Sequence, residues 1–131
     1  MSFKACAVIP VFNHHACLDQ IVTALLTNRI PCILVDDGSD ACTKYTLETI
    51  TGRNPRVECL TLPQNRGKGA AVMAGITRAG ERGFTHALQI DADGQHNLAD
   101  IPAMFTLAHQ HPRHLISGTP IYDNSIPAVR F

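Results

Sequence analysis

Short β-rich runs alternate with longer segments of helical period along this chain, and that alternation restricts the possible folds more than any other feature. The runs are Lys4–Ile9, Cys32–Val35, Val57–Leu60, His86–Ile90 and His114–Ser117. Between them, His15–Asn28 sets Leu18, Ile21, Val22, Leu25 and Leu26 on one stripe, as an amphipathic helix requires. Ala41–Thr51 reads as a second, weaker helix. Gly69–Arg82 reads as a third, whose Ala and Gly content predicts close packing on a sheet. Leu98–Gln110 reads as a fourth, with Ile101, Met104, Phe105 and Ala108 at helical spacing. Strands separated by helices build βαβ units, hence an α/β fold with a mostly parallel sheet. In such sheets ligands bind beyond the carboxyl ends of the strands.

Bulk properties narrow the function classes. The 131 residues suffice for one domain. Eleven Lys and Arg balance eleven Asp and Glu, which argues against a general nucleic-acid binder. The longest apolar stretches fall well short of the ~20 residues that span a bilayer, and the residues before Pro10 are too few for a signal peptide. The five cysteines (Cys6, Cys17, Cys32, Cys42, Cys59) include no CxxC pair, and they read as reduced, buried thiols of a cytoplasmic protein. No HExxH or Cys/His zinc spacing is present. His14 and His15 read as exposed first-turn residues and are assigned no role.

Each strand exit carries polar or Gly-rich chemistry. Leu88-Gln89-Ile90 runs into Asp91-Ala92-Asp93-Gly94-Gln95-His96. Side chains two apart on a strand share a face, so Asp91 and Asp93 can meet one cation. Hard oxygen ligands suit Mg2+ or Mn2+, common companions of phosphate esters. An EF-hand would need Gly and Glu where His96 and Pro102 stand. An aspartyl phosphatase motif would have Thr or Val at Gln95 and would normally open its domain. A plain turn, with Asn97 or Asp100 as cap, leaves two carboxylates at the end of a buried strand unexplained. His96 is open between holding a phosphate and packing beneath the next helix.

Asp36-Asp37-Gly38-Ser39 ends the second run. One of its carboxylates is expected to accept bonds from a ribose or base, while Ser39 or Asp40 caps the following helix. Asn65-Arg66-Gly67-Lys68-Gly69 fails the P-loop pattern, yet it places cations at a Gly-rich helix start. Such a start offers amide donors to an anion, and basic residues there oppose the helix dipole unless an anion is near.

Taken together, Val8-Ile9-Pro10-Val11-Phe12-Asn13, Val35-Asp36-Asp37-Gly38-Ser39, Asn65-Arg66-Gly67-Lys68-Gly69-Ala70-Ala71 and Asp91-Ala92-Asp93-Gly94-Gln95-His96 resemble family 2 of the inverting glycosyltransferases, in order and spacing. The last block is most similar to the polyprenyl- or dolichyl-phosphate mannosyl- and glucosyltransferase branch. The resemblance implies a GT-A (Rossmann-like) αβα sandwich, incomplete at its C-terminus. It implies one nucleotide-sugar-binding domain over residues 1–131, cut before the acceptor-binding half that would supply the general base. A UDP- or GDP-sugar donor would contact Pro10, Val11, Asn13, Asp36 or Asp37, Asn65, Lys68, Asp91, Ala92 and Asp93. Asp91, Asp93 and Gln95 would hold Mg2+ or Mn2+. The acceptor would be a lipid phosphate or a glycan, with the full-length protein at the inner face of a membrane. Phe12 stands where many members have tyrosine, and Asn97 where that branch often has proline. The alternatives are a non-catalytic nucleotide-sugar-binding module and a metal-dependent phosphohydrolase.

Overall fold

The computed structural model describes residues 3–94 and 98–112. The chain divides into two units, Met1–Leu98 and Ala99–Phe131. The first holds β1 (Ala5–Val11), α1 (Leu18–Thr27), β2 (Cys32–Asp36), α2 (Ala41–Arg53), β3 (Val57–Thr61), α3 (Lys68–Glu81) and β4 (His86–Gln89). In the second, α4 (Ile101–Gln110) has a buried Ile101 and carries Pro102 in its first turn, where a missing N–H costs no intrahelical bond. The 3₁₀ turn Leu98–Asp100 precedes α4. The expected fifth strand, His114–Ser117, lies outside the described residues, as do Gln95, His96 and Asn97.

The strands form one parallel sheet in the order β3-β2-β1-β4. Val8 pairs Ile33 and Ile33 pairs Glu58, while Val8 pairs Gln89 on the other side. β2 is buried at every position, and Cys6 through Ile9 of β1 are also buried. Such unbroken apolar runs mark strands covered on both faces. β3 and β4, the outer strands among the described residues, are only partly buried.

Handedness distributes the helices. The β1-α1-β2 and β2-α2-β3 crossovers both step one way along the sheet, whereas β3-α3-β4 steps back past β2 and β1. Right-handed connections therefore put α1 and α2 on one face and α3 on the other. α3 covers Cys6, Val8, Ile33 and Val35 with Ala71 and Ala79. Its approach is close: a Cβ at Gly75 would lie 2.3 Å from Val8 Cγ1. The Ala- and Gly-rich composition thus does what was expected of it. α1 begins three residues later than its periodicity predicts. The stretch before it is a turn in which the Leu18 amide donates to the His15 carbonyl, and Cys17 at the cap position offers no capping bond.

In the order 3-2-1-4 the direction of winding reverses between β1 and β4. Ligand crevices of doubly wound sheets open at that place, outside the strands' carboxyl ends. The residues after β1 and after β4 flank it.

Candidate functional site

The exits of β1 and β2 are joined by backbone and short side chains. The Asp37 amide donates to the Val11 carbonyl at 2.8 Å. Asn13 adopts a left-handed conformation (φ 58°), one that asparagine tolerates better than most residues. Its amide donates to Ser39 Oγ at 3.1 Å, and its Oδ1 accepts the Asp40 amide at 2.8 Å. Ser39 therefore serves the β1–β2 joint, and Asp40 is the cap of α2, accepting the Thr43 amide at 2.9 Å.

The two acidic residues after β2 are both buried, and both carboxylates have protein partners. Asp36 Oδ1 accepts the Ser39 amide at 2.8 Å, and Oδ2 pairs with Lys44 Nζ at 2.6 Å. Burial alone disfavours its charge, but Lys44 and the Ser39 amide and hydroxyl outweigh that penalty. They hold the carboxyl below the usual range. Asp37 turns toward the loop after β3. Its Oδ1 accepts the Arg66 amide at 2.7 Å and its Oδ2 the Gly67 amide at 3.0 Å, while Asn65 Nδ2 donates to its carbonyl at 3.2 Å. Gly38 makes this junction possible. Its φ is 77°, and a Cβ there would meet the Asn65 nitrogen at 2.6 Å.

The exits of β3 and β4 meet through charge. Lys68, the first residue of α3, places Nζ 2.6 Å from Asp91 Oδ1, and Gln89 Nε2 donates to the same oxygen at 3.2 Å. Asp91 is largely enclosed, with 19% of its side chain exposed. Ala92 is buried, and Asp93 faces solvent. Gly94 turns with φ 77° against Cys17.

The expected site residues thus gather at one edge of the sheet. Pro10, Val11, Asn13, Asp36 and Asp37 lie at the β1–β2 end. Asn65 is tied to Asp37, and Lys68 is tied to Asp91. Val11 is buried and contributes its carbonyl, whereas its neighbour Phe12 is exposed. Gln95 lies outside the described residues.

Sequence reading did not assign Lys44 a role. A signal for it was present: a lysine near the start of a helix opposes the dipole and asks for an anion, which Asp36 supplies. It also set His15 aside, yet His15 Nδ1 lies 3.0 Å from Thr43 Oγ1 and Nε2 lies 3.7 Å from Cys42 Sγ. The cysteines, expected to be buried, divide instead. Cys6 and Cys32 are buried, Cys17 and Cys59 are partly so, and Cys42 is exposed, because it faces outward from the first turn of α2. All five are free thiols.

The family model for glycosyl transferase family 2 matches residues 6–129. The chain belongs to that family. Its relatives include a UDP-N-acetylglucosamine–dolichyl-phosphate N-acetylglucosaminyltransferase of Methanococcus voltae, 30% identical over 127 residues, a match covering 87% of this chain and 51% of the relative. An undecaprenyl-phosphate 4-deoxy-4-formamido-L-arabinose transferase of Proteus mirabilis is 32% identical over 115 residues, covering 82% of this chain and 34% of the relative. The chain thus spans about half, or less, of the length of the family members it matches. Among solved structures, the mannosyltransferase PcManGT of Pyrobaculum calidifontis, in complex with GDP-Man and Mn2+, superposes with a TM-score of 0.55 at 14% identity. That match covers 69% of this chain and 27% of that one, and it identifies the parallel α/β frame as the GT-A fold.

Proposed function

We propose that this chain forms the donor-binding part of a metal-dependent, inverting glycosyltransferase that moves a sugar from a nucleoside diphosphate to a polyprenyl phosphate. The observation that carries the reading is the meeting of Lys68 and Asp91 at the winding reversal of a family 2 fold. There a cation at a helix start faces a carboxylate at a strand end.

The donor set fits a divalent ion. Asp91 already holds one cationic group, the Lys68 ammonium, at 2.6 Å. Mg2+ and Mn2+ sites commonly take one or two carboxylates and complete their shells with phosphate and water. In this reading Asp91 and Asp93 would hold the ion, with Gln95 as a third ligand. Once bound, it would act as a Lewis acid on the departing diphosphate.

The remaining parts are the chain's own. The β1–β2 joint at Pro10, Val11 and Asn13 lines the nucleoside end. Asp37, through Arg66 and Gly67, sets the loop that carries Asn65 and aims the start of α3 at the phosphates. Lys68 and the free amides of that helix start stabilise charge on the leaving group. The acceptor oxygen attacks the anomeric carbon as the bond to the β-phosphate oxygen breaks. The sugar inverts, and the nucleoside diphosphate leaves with the electron pair. A phosphate acceptor is already an anion and needs no base to remove a proton, unlike a hydroxyl. The names of the relatives support that acceptor class. Among the described residues no helix is long and apolar enough to cross a membrane. The reading places the site at the cytoplasmic face of the bilayer holding the acceptor.

Calorimetric titration of the whole protein with GDP and with UDP, each with and without Mn2+, tests the proposal. One nucleotide is expected to bind, and only with metal. Failure of both to bind in the presence of Mn2+ would sink it.

A further inference from the structure

Away from the diphosphate end, four side chains line up at the start of α2. Cys42 is exposed, and its Sγ lies 3.7 Å from His15 Nε2. The other ring nitrogen, Nδ1, lies 3.0 Å from Oγ1 of the buried Thr43. The Thr43 amide donates to the Asp40 carboxylate at 2.9 Å.

This chain of bonds has a direction. The bond from the Thr43 amide holds the Asp40 carboxyl below its usual range, so it is ionised at neutral pH and only accepts. The Thr43 hydroxyl has a lone pair that can accept the His15 Nδ1–H at 3.0 Å. With the proton on Nδ1 in that bond, the Nε2 lone pair faces the Cys42 thiol. A nucleophile, a base and a group orienting the base are the parts of an activated nucleophile.

We propose that Cys42 is a base-activated thiol that forms a mixed disulfide with low-molecular-weight disulfides. His15 Nε2 takes the proton as Sγ attacks one sulfur of the disulfide. An S–S bond forms to Cys42, the original S–S bond breaks, and the departing thiolate receives the proton. One disulfide and one thiol enter, and one disulfide and one thiol leave. The other cysteines are poorer candidates. Burial pushes the Cys6 thiol up to about 11 and the Cys59 thiol to about 11, the latter with help from Asp36. Burial, and then Cys6, push Cys32 to about 12. Cys17 is the useful internal control, since it is partly exposed. The adduct would sit on the turn whose Asp40 amide is bonded to Asn13, beside the β1 exit. The proposal does not depend on the glycosyl-transfer reading.

The test treats the whole protein with oxidised glutathione at neutral pH and follows each cysteine by peptide mass spectrometry. Cys42 is expected to react about tenfold faster than Cys17. His15→Gln is expected to slow Cys42 by about tenfold and leave Cys17 unchanged. Thr43→Ser should retain the fast rate, and Thr43→Val should lose it. Equal rates at Cys42 and Cys17 in the unaltered protein would overturn the proposal without recourse to any variant. So would a His15→Gln protein of native circular dichroism whose Cys42 reacts at the original rate.

Discussion

The two ends of the candidate site are built in opposite ways. At the β1–β2 end, buried carboxylates are spent on the protein's own amides and on Lys44. At the β3–β4 end, a largely exposed lysine at the start of α3 reaches a carboxylate just after β4. The first arrangement is rigid because each acceptor has lost water and must keep its donor. The second is adjustable, because Lys68 is largely exposed and can change partners at small cost. In the proposed reading the rigid end would take the flat nucleoside, and the adjustable end the diphosphate whose charge grows during reaction.

The sharpest way to break the comparison is Asp37→Ala. It strands the Arg66 and Gly67 amides and should cost about 3 kcal/mol, read as a lower urea midpoint. A loss of only a few tenths would mean that the joint is not the rigid part. Lys44→Met comes next. It leaves Asp36 buried with only Ser39, but Lys44 is 42% exposed, so the expected loss is about 1–2 kcal/mol rather than that of a fully buried pair. The same variant carries a pH signature. The Asp36 carboxyl titrates lower when folded than when unfolded, so its contribution is complete above the unfolded value, ~3.9. The contribution fades as pH falls through the lower folded value. Removing Lys44 raises the folded value, so acid unfolding should begin at a higher pH, as followed by circular dichroism between about pH 5 and 2. Lys68→Met should have the smallest effect: stability within about 0.5 kcal/mol. Its affinity for nucleoside diphosphate with Mn2+ should nevertheless be about tenfold weaker, about 1.4 kcal/mol by titration calorimetry. Unchanged affinity would remove Lys68 from the phosphate contacts.

Much of the frame was legible in the sequence because it depends on local patterning. Unbroken apolar runs at Cys6–Ile9 and Cys32–Val35 mark central parallel strands, and Ala71, Gly75 and Ala79 mark a helix lying close on them. The polar residues after each strand then fall on one edge by topology alone. The wiring within that edge was not legible. Asp36 and Lys44 are close in sequence, but which of Asp36 and Asp37 turns toward α2 depends on where the backbone bends at Gly38. His15 and Thr43 are 28 residues apart and meet only because β1 and β2 are neighbours. A histidine in a polar stretch carries no periodic signal of such a partner, so periodicity alone made it an exposed first-turn residue.

The closeness of α3 to the sheet at Gly75 bears on Lys68, about 10 Å away along the same helix. Because no side chain cushions that contact, the helix rests on Val8 and Val35 as a beam rests on a fulcrum. A methyl group added at Gly75 would lift the beam, and the displacement would be felt at its end, where the ammonium meets Asp91. The reach of Lys68 is therefore calibrated from inside the core, by a residue seven positions away.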